Sequence, residues 1–164
     1  MAEATPFVLS RCFTQLIGRK VTFVQTALAP PDMKIKQIYG IYNLLPHHTA
    51  IIVKADLPLL ASIGGALVGL PDPAVKEHLR VTPLEELLRD AISEVLNIAS
   101  SSITAEGRAV FTKFVTDPTY IDGEAGKVYA KADHKSYFNV QVDGYQGGKF
   151  NILSQFIPGH TVGH

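Results

Sequence analysis

The sequence predicts an α/β (α+β) fold, a β-sheet with helices packed on one face. Helical patterns and β-rich runs follow one another in the order helix, strands, helices, strands. An apolar fraction of 46% in 164 residues is ample for one packed core. We therefore expect one domain over residues 1–157, followed by a frayed, flexible tail over residues 158–164.

Helix one is predicted from its start signal and its apolar spacing. Thr5 provides an N-cap and Pro6 a first-turn proline, and Gly18 marks the end. The apolar positions that predict its buried side are Phe7, Leu9, Phe13, Leu16 and Ile17.

Three strands and a second helix are predicted next. The strands cover residues 20–26, 34–44 and 48–53. The apolar run 57–70 is too short to span a bilayer and predicts a buried helix, which ends before a turn at residues 71–73. Its Gly64-Gly65 pair does not form a phosphate-binding loop, so we interpret it as a point of close helix packing.

The second half begins with a longer helix at Thr82-Pro83. Four strand candidates follow, over residues 109–116, 126–131, 136–142 and 149–155. Asp143-Gly144 marks a hairpin between the last two strands. Each of the two Thr-Pro helix starts is followed by an apolar β-rich segment, which hints at a pseudo-repeat without establishing one.

Composition and charge argue against several classes of function. Lys and Arg together number 15, as do Asp and Glu, so no overall field favours nucleic acid or an anionic membrane. The single cysteine, Cys12, fits a reducing cytoplasm, and the apolar stretch around Arg11 is not a secretory signal. His47-His48 follow Pro46 and are interpreted as a turn. His160 and His164 have helical metal-ligand spacing, but the adjacent Gly159 and Gly163 argue against a helix there. We expect a cytoplasmic protein with no metal site, nucleic-acid partner or membrane partner.

The long helix has an apolar side and a polar stripe opposite it. The predicted core positions are Leu84, Leu88, Ala91, Ile92, Val95 and Ala99. The stripe consists of Asp90, Glu94, Asn97 and Ser101, spaced i, i+4, i+7 and i+11, so that one partner could contact all four. An ordinary solvated face is the alternative interpretation. The stripe differs from such a face in lacking Lys and Arg and in carrying a helix-disfavoured Asn at its middle.

The run Asp90-Ala-Ile-Ser-Glu94-Val-Leu-Asn97 resembles the Asp/Ser-xxx-Glu-xx-Asn signature of the CheX, CheC and FliY chemotaxis phosphatases. In that family a proline follows the asparagine at the end of the next strand, and Pro118 matches it. The resemblance extends loosely over the order of elements. It implies a CheC-like fold, with an antiparallel-rich sheet, and a phosphatase, a hydrolase acting in two-component signalling.

The resemblance also implies roles for the stripe. Asn97 would orient a water molecule for attack on the aspartyl phosphate of a CheY-like receiver domain, and Glu94 would pair with the lysine of that receiver. Asp90 and Ser101 would contact the same partner. Magnesium would be supplied by the receiver, so that the protein needs no cofactor of its own.

Two departures from the family pattern keep alternatives open. Glycine often follows the asparagine in the family, whereas Ala99 and serines follow it here. The first helix has Gln15 and Gly18 where a second motif would require Glu and Asn, which favours the single-motif CheX-like branch. A catalytically silent CheC-like binding module is the rival hypothesis, and a flagellar switch subunit is the third. We also expect a homodimer joined through strands within residues 129–155.

Overall fold

The structure is a computed structural model that describes residues 4–28, 32–81, 84–104 and 107–155. The helices within these ranges are α1 (Pro6–Ile17), α2 (Leu57–Leu67), α3 (Asp72–His78), α4 (Glu86–Ala99) and α5 (Gly123–Lys131). The strands are β1 (Val21–Thr26), β2 (Gln37–Leu45), β3 (Thr49–Asp56), β4 (Arg108–Val115), β5 (His134–Val142) and β6 (Tyr145–Ser154). A short 3-10 helix covers Pro118–Tyr120. The expected tail, 158–164, lies outside the described residues.

The six strands form one sheet in the order β1-β5-β6-β3-β2-β4. Every neighbouring pair of strands is antiparallel. β5 and β6 form the predicted hairpin around Asp143-Gly144, where Gly144 has a φ of +79° that favours glycine. The α+β class and the antiparallel sheet predicted from the sequence are therefore confirmed.

The strand order supports the pseudo-repeat suggested by the two Thr-Pro helix starts. α1 leads into β1, β2 and β3, and α4 leads into β4, β5 and β6. In the sheet, β1 pairs with β5, while β4 pairs with β2. The first strand of each half thus pairs with the second strand of the other half, so the two halves interlock.

Helix α1 begins and ends as the sequence predicts. The Thr5 hydroxyl accepts a hydrogen bond of 3.2 Å from the backbone N–H of Val8, and Pro6 is the first helical residue. Gly18 ends the helix with a φ of +69°. Leu9 and Phe13 are fully buried, which anchors α1 on the sheet.

Hydrophobic clusters lie on both faces of the sheet. One cluster packs α1, α2 and α4 on a single face, as predicted, and contains Leu9, Phe13, Leu60, Val95, Phe138 and Phe150. A smaller cluster joins Val128 of α5 to Tyr39, Ile41 and Ile52 on the opposite face. The strand predicted at 126–131 is therefore wrong. The β-favouring Val128-Tyr129 pair lies in a helix because Ala125 and Val128, three residues apart, bury one helical face.

The connection between α2 and α4 differs from the prediction in two places. Residues 71–73 were expected to form only a turn, but Asp72 begins α3 with a proline in its first turn. Asp72 near the start of α3 and Lys76 near its end complement the helix dipole, and their side chains form an ion pair at 2.9 Å. Helix α4 begins at Glu86, and the predicted start at Thr82-Pro83 lies outside the described residues.

The structure corrects the predicted route to a homodimer. β5 and β6 are interior strands, each paired on both sides, so strands within residues 129–155 have no free edge for a second copy. Helix α1 also caps the β1 edge. The Thr14 hydroxyl bonds both the N–H and the carbonyl of Val21, and the Ser10 hydroxyl accepts the N–H of Phe23. At the other end of the described sheet the edge strand is β4, which carries Arg108 and Lys113.

Candidate functional site

Helix α4 is sharply two-sided. Its buried residues are Leu88, Ala91, Ile92, Val95, Leu96 and Ala99. Five of the six predicted core positions are thus buried, while Leu84 lies before the helix and is half-buried. Helix α2 approaches this side closely because Gly64 has no side chain: a methyl group there would lie 3.1 Å from the Cβ of Ala91. Close packing therefore explains Gly64 on the α4 side, while Gly65 lies against Val75 of α3.

The structure brings the predicted stripe to the opposite, exposed side of α4. Asp90, Glu94 and Asn97 are all exposed, and Ser101 is exposed in the turn just after the helix. The Ser101 hydroxyl donates to the carbonyl of Ile98 at 3.4 Å. Within the described part of the chain, the side chains of Asp90, Glu94 and Asn97 make no hydrogen bond or ion pair. Their polar atoms are thus available to a partner.

The helical turn that carries Asn97 is supported by a hydrogen bond from a core residue that the sequence did not predict. The hydroxyl of Tyr42 donates to the carbonyl of Leu96 at 2.5 Å. Burial raises the pKa of Tyr42 far above the usual tyrosine value. Its hydroxyl therefore stays protonated and can donate the hydrogen bond. A tyrosine within an apolar strand gives no sequence signal of this contact, because its partner is a backbone atom 54 positions away.

The stripe is electrostatically negative. Asp90 and Glu94 carry carboxylates, and Asn97 lies in the last turn of α4, where the helix dipole adds a partial negative charge. The positive charge of Arg89 lies against a different residue, with its guanidinium 5.4 Å from the ring centre of Phe114. The stripe therefore attracts cations and repels an isolated phosphate. A phosphate group can approach it only together with cations that offset the negative charge of the phosphate.

A groove separates α4 from α1 beside the stripe. Its lining residues are Phe7, Val8, Arg11, Cys12, Gln15, Leu16, Ile98, Ser101 and Ser102, and it is called the α1–α4 groove below. Phe7 was predicted on the buried side of helix one, but 72% of its surface is exposed. The prediction is wrong for Phe7 because the side of α1 that packs on the core carries Leu9, Phe13, Leu16 and Ile17, and Phe7 lies off that side.

Pro118 does not lie beside Asn97. It begins the 3-10 helix after β4 and lines a pocket that also contains Arg89 and Leu84. Arg89 precedes Asn97 by eight positions, which corresponds to about 12 Å along a helix axis. The proline that contributes to the sequence resemblance is therefore at the other end of α4 from the asparagine.

Metal-ligand clusters and membrane-spanning helices are both absent from the described residues. Across the residues that the structure describes, no group of three or more His, Cys, Asp or Glu side chains is placed to hold a metal ion. Among the helices in these same ranges, none is long and apolar enough to cross a membrane.

The fold and the site together define an α+β domain of two interlocked halves with a negative, unpartnered helix face. The same architecture occurs in solved structures of FliY and FliM. A chain of FliY from Thermotoga maritima aligns with a TM-score of 0.57 at 13% identity, over 93% of this chain and 85% of that chain. A chain of the FliG–FliM complex from H. pylori aligns with a TM-score of 0.57 at 8% identity, over 94% of this chain and 88% of that chain.

A CheX–CheY complex from Borrelia burgdorferi contains a chain that aligns with a TM-score of 0.42 at 11% identity, over 91% of this chain and 94% of that chain. No family model matches this sequence, and no curated protein sequence matches it. The resemblance to the CheX, CheC and FliY family is confirmed at the level of the fold.

Proposed function

We propose that this protein is a phosphatase that hydrolyses the aspartyl phosphate of a CheY-like receiver domain. The observation that carries the proposal is the stripe on α4: Glu94 and Asn97 are exposed, one turn apart and without a partner among the described side chains. The motif occurs in a domain with the fold of FliY. Exposed acceptors and donors that bind nothing within their own protein are suited to contact a second one.

Asn97 acts in the proposed reaction by placing a water molecule. Its side-chain amide both donates and accepts hydrogen bonds, so it can hold water in line with the phosphorus without taking a proton. Receiver domains hold their phosphate with magnesium and lysine, and the remaining task is positioning the nucleophile. The negative charge of the stripe is consistent with this mechanism, because the receiver supplies the cations, magnesium and lysine.

Glu94 anchors the receiver. Its carboxylate lies one turn before Asn97, where it meets the lysine that neighbours the phosphate. Asp90 and Ser101 extend this contact along the same face, one turn to either side. No cofactor of the protein's own enters the proposed reaction, and magnesium comes with the receiver.

Single-turnover dephosphorylation of a purified phosphorylated receiver tests the proposal. The parent protein should accelerate phosphate release, and Asn97→Ala should remove most of the acceleration. Asn139→Ala is the matched control, since Asn139 is also exposed but lies on β5. Equal rates for the parent and Asn97→Ala would overturn the assignment of Asn97 as the catalytic residue.

A second candidate function is a silent module that docks on a signalling or flagellar partner without hydrolysis. The position of Pro118 favours it, because the proline lies near Arg89 and away from Asn97. The absence of glycine after Asn97 adds to this argument. A parent protein that binds an activated receiver but leaves the phosphate lifetime unchanged would establish this alternative.

The homodimer stays a prediction, and β4 is the strand edge left for it in the described sheet. Arg108 and Lys113 are both exposed on β4, and this positive charge along the edge opposes the pairing of two copies. We expect a dimer that dissociates on dilution and strengthens in Lys113→Thr. A constant monomer mass by light scattering for both proteins would contradict it.

A further inference from the structure

We propose that the α1–α4 groove is the apolar half of the receiver-docking surface, with Phe7 and Ile98 as its anchors. The inference rests on the proposed function and adds to it the surface that determines affinity. Its occupant is the receiver domain whose phosphate reaches Asn97.

Exposed apolar side chains of both helices line the groove. On α1, Phe7 is 72% exposed and Val8 is 44% exposed, and on α4, Ile98 is 37% exposed. All three line the groove. Large apolar side chains gathered in a concave surface are typical of protein interaction sites.

The groove is continuous with the stripe. Ile98 directly follows Asn97 in the sequence, and Ser101 belongs to both the stripe and the groove lining. A stable protein complex buries about 800 Å² on each partner, far more than a single row of side chains offers. A receiver that holds its phosphate over Asn97 must therefore extend over adjacent surface, and the groove is apolar surface that begins at the next residue.

The distribution of charged side chains on this surface determines the orientation of a docked partner. Asp90 and Glu94 precede Asn97 along α4, whereas Arg11 lies in the groove beyond it, near Ser101. The surface thus runs from negative to positive across Asn97. A complementary receiver presents its lysine and magnesium towards Glu94 and an acidic side chain towards Arg11, with apolar side chains between them.

Binding of a CheY-like receiver, activated with beryllofluoride and Mg²⁺, tests the inference. We expect Phe7→Ser and Ile98→Ser each to raise the dissociation constant about tenfold. At saturating phosphorylated receiver, the single-turnover rate should stay at the parent value. Tyr120→Ser is the matched control for Phe7→Ser, because Tyr120 is 67% exposed and does not line the groove. Arg11→Glu should weaken binding most at low salt.

The outcomes separate this inference from the proposed function. Unchanged affinity in both groove variants, with hydrolysis intact in the parent, overturns the inference and leaves the phosphatase standing. A parent that neither binds the activated receiver nor accelerates phosphate release overturns both. If Phe7→Ser converts a dimer to a monomer without changing receiver affinity, the groove is an interface between copies and the inference fails. Weaker binding in Tyr120→Ser to the same degree also contradicts it.

Discussion

The hydroxyl of Tyr42 on β2 donates a hydrogen bond to the carbonyl of Leu96, the residue before Asn97. The Leu96 carbonyl would otherwise lack a partner at the end of α4, because the N–H of Ser100 bonds the carbonyl of Asn97 instead, at 3.2 Å. Tyr42 is fully buried. The core thereby fixes the backbone that presents the exposed Asn97 side chain.

The first prediction is that Tyr42→Phe destabilises the protein by about 1–3 kcal/mol, since it leaves the Leu96 carbonyl buried without a donor. Chemical denaturation measures the change. Tyr120→Phe, at an exposed tyrosine, should change the free energy of unfolding by less than about 0.5 kcal/mol. Equal stability of Tyr42→Phe and the parent would mean that the hydrogen bond contributes nothing net.

The second prediction concerns Glu94. Glu94→Ala should raise the KM for the phosphorylated receiver and leave kcat close to the parent value, because the lost contact is a charge pair with the partner. The unfolding midpoint should stay the same, since Glu94 is exposed and alanine favours a helix. Steady-state kinetics at low and high salt measure the effect, which should shrink at high salt. A fall in kcat at unchanged KM would instead place Glu94 in the chemical step.

Much of the fold was predictable because most elements have local signals. The β-rich runs locate all six strands to within about four residues at each end, and Thr5 and Gly18 set the ends of α1. α5 escaped prediction because its short buried face depends on a sheet assembled from distant strands. The exposed position of Phe7 likewise depends on tertiary packing.

The stripe was predictable because α4 has a regular apolar period that fixes which residues point outward. The features around it were not. Tyr42 supports Asn97 through a backbone atom, and the α1–α4 groove arises where two helices distant in sequence lie side by side. Pro118 matched the motif in sequence spacing alone, which carries no information about its distance from Asn97 in space.

The third prediction is that Val95→Asp destabilises the protein by about 3–5 kcal/mol, because Val95 is fully buried on the core side of α4 and the carboxylate would have no partner there. Thermal melting measures the loss. Glu94→Asp, one residue earlier on the exposed side, should melt within a few degrees of the parent. Similar melting of Val95→Asp and Glu94→Asp would mean that the two sides of α4 are wrongly assigned.

The fourth prediction is an energetic coupling between Gly65 of α2 and Val75 of α3. A Cβ at position 65 would collide with a γ-methyl of the buried Val75, so Gly65→Ala should destabilise by about 1–2 kcal/mol even though alanine favours the helix. Val75→Ala removes that methyl and leaves a space that the new Cβ partly fills. The double variant should therefore be more stable than the sum of the single effects predicts, by about 1 kcal/mol. Urea unfolding of all four proteins measures the coupling, and strictly additive effects would show that α2 and α3 do not touch at these positions.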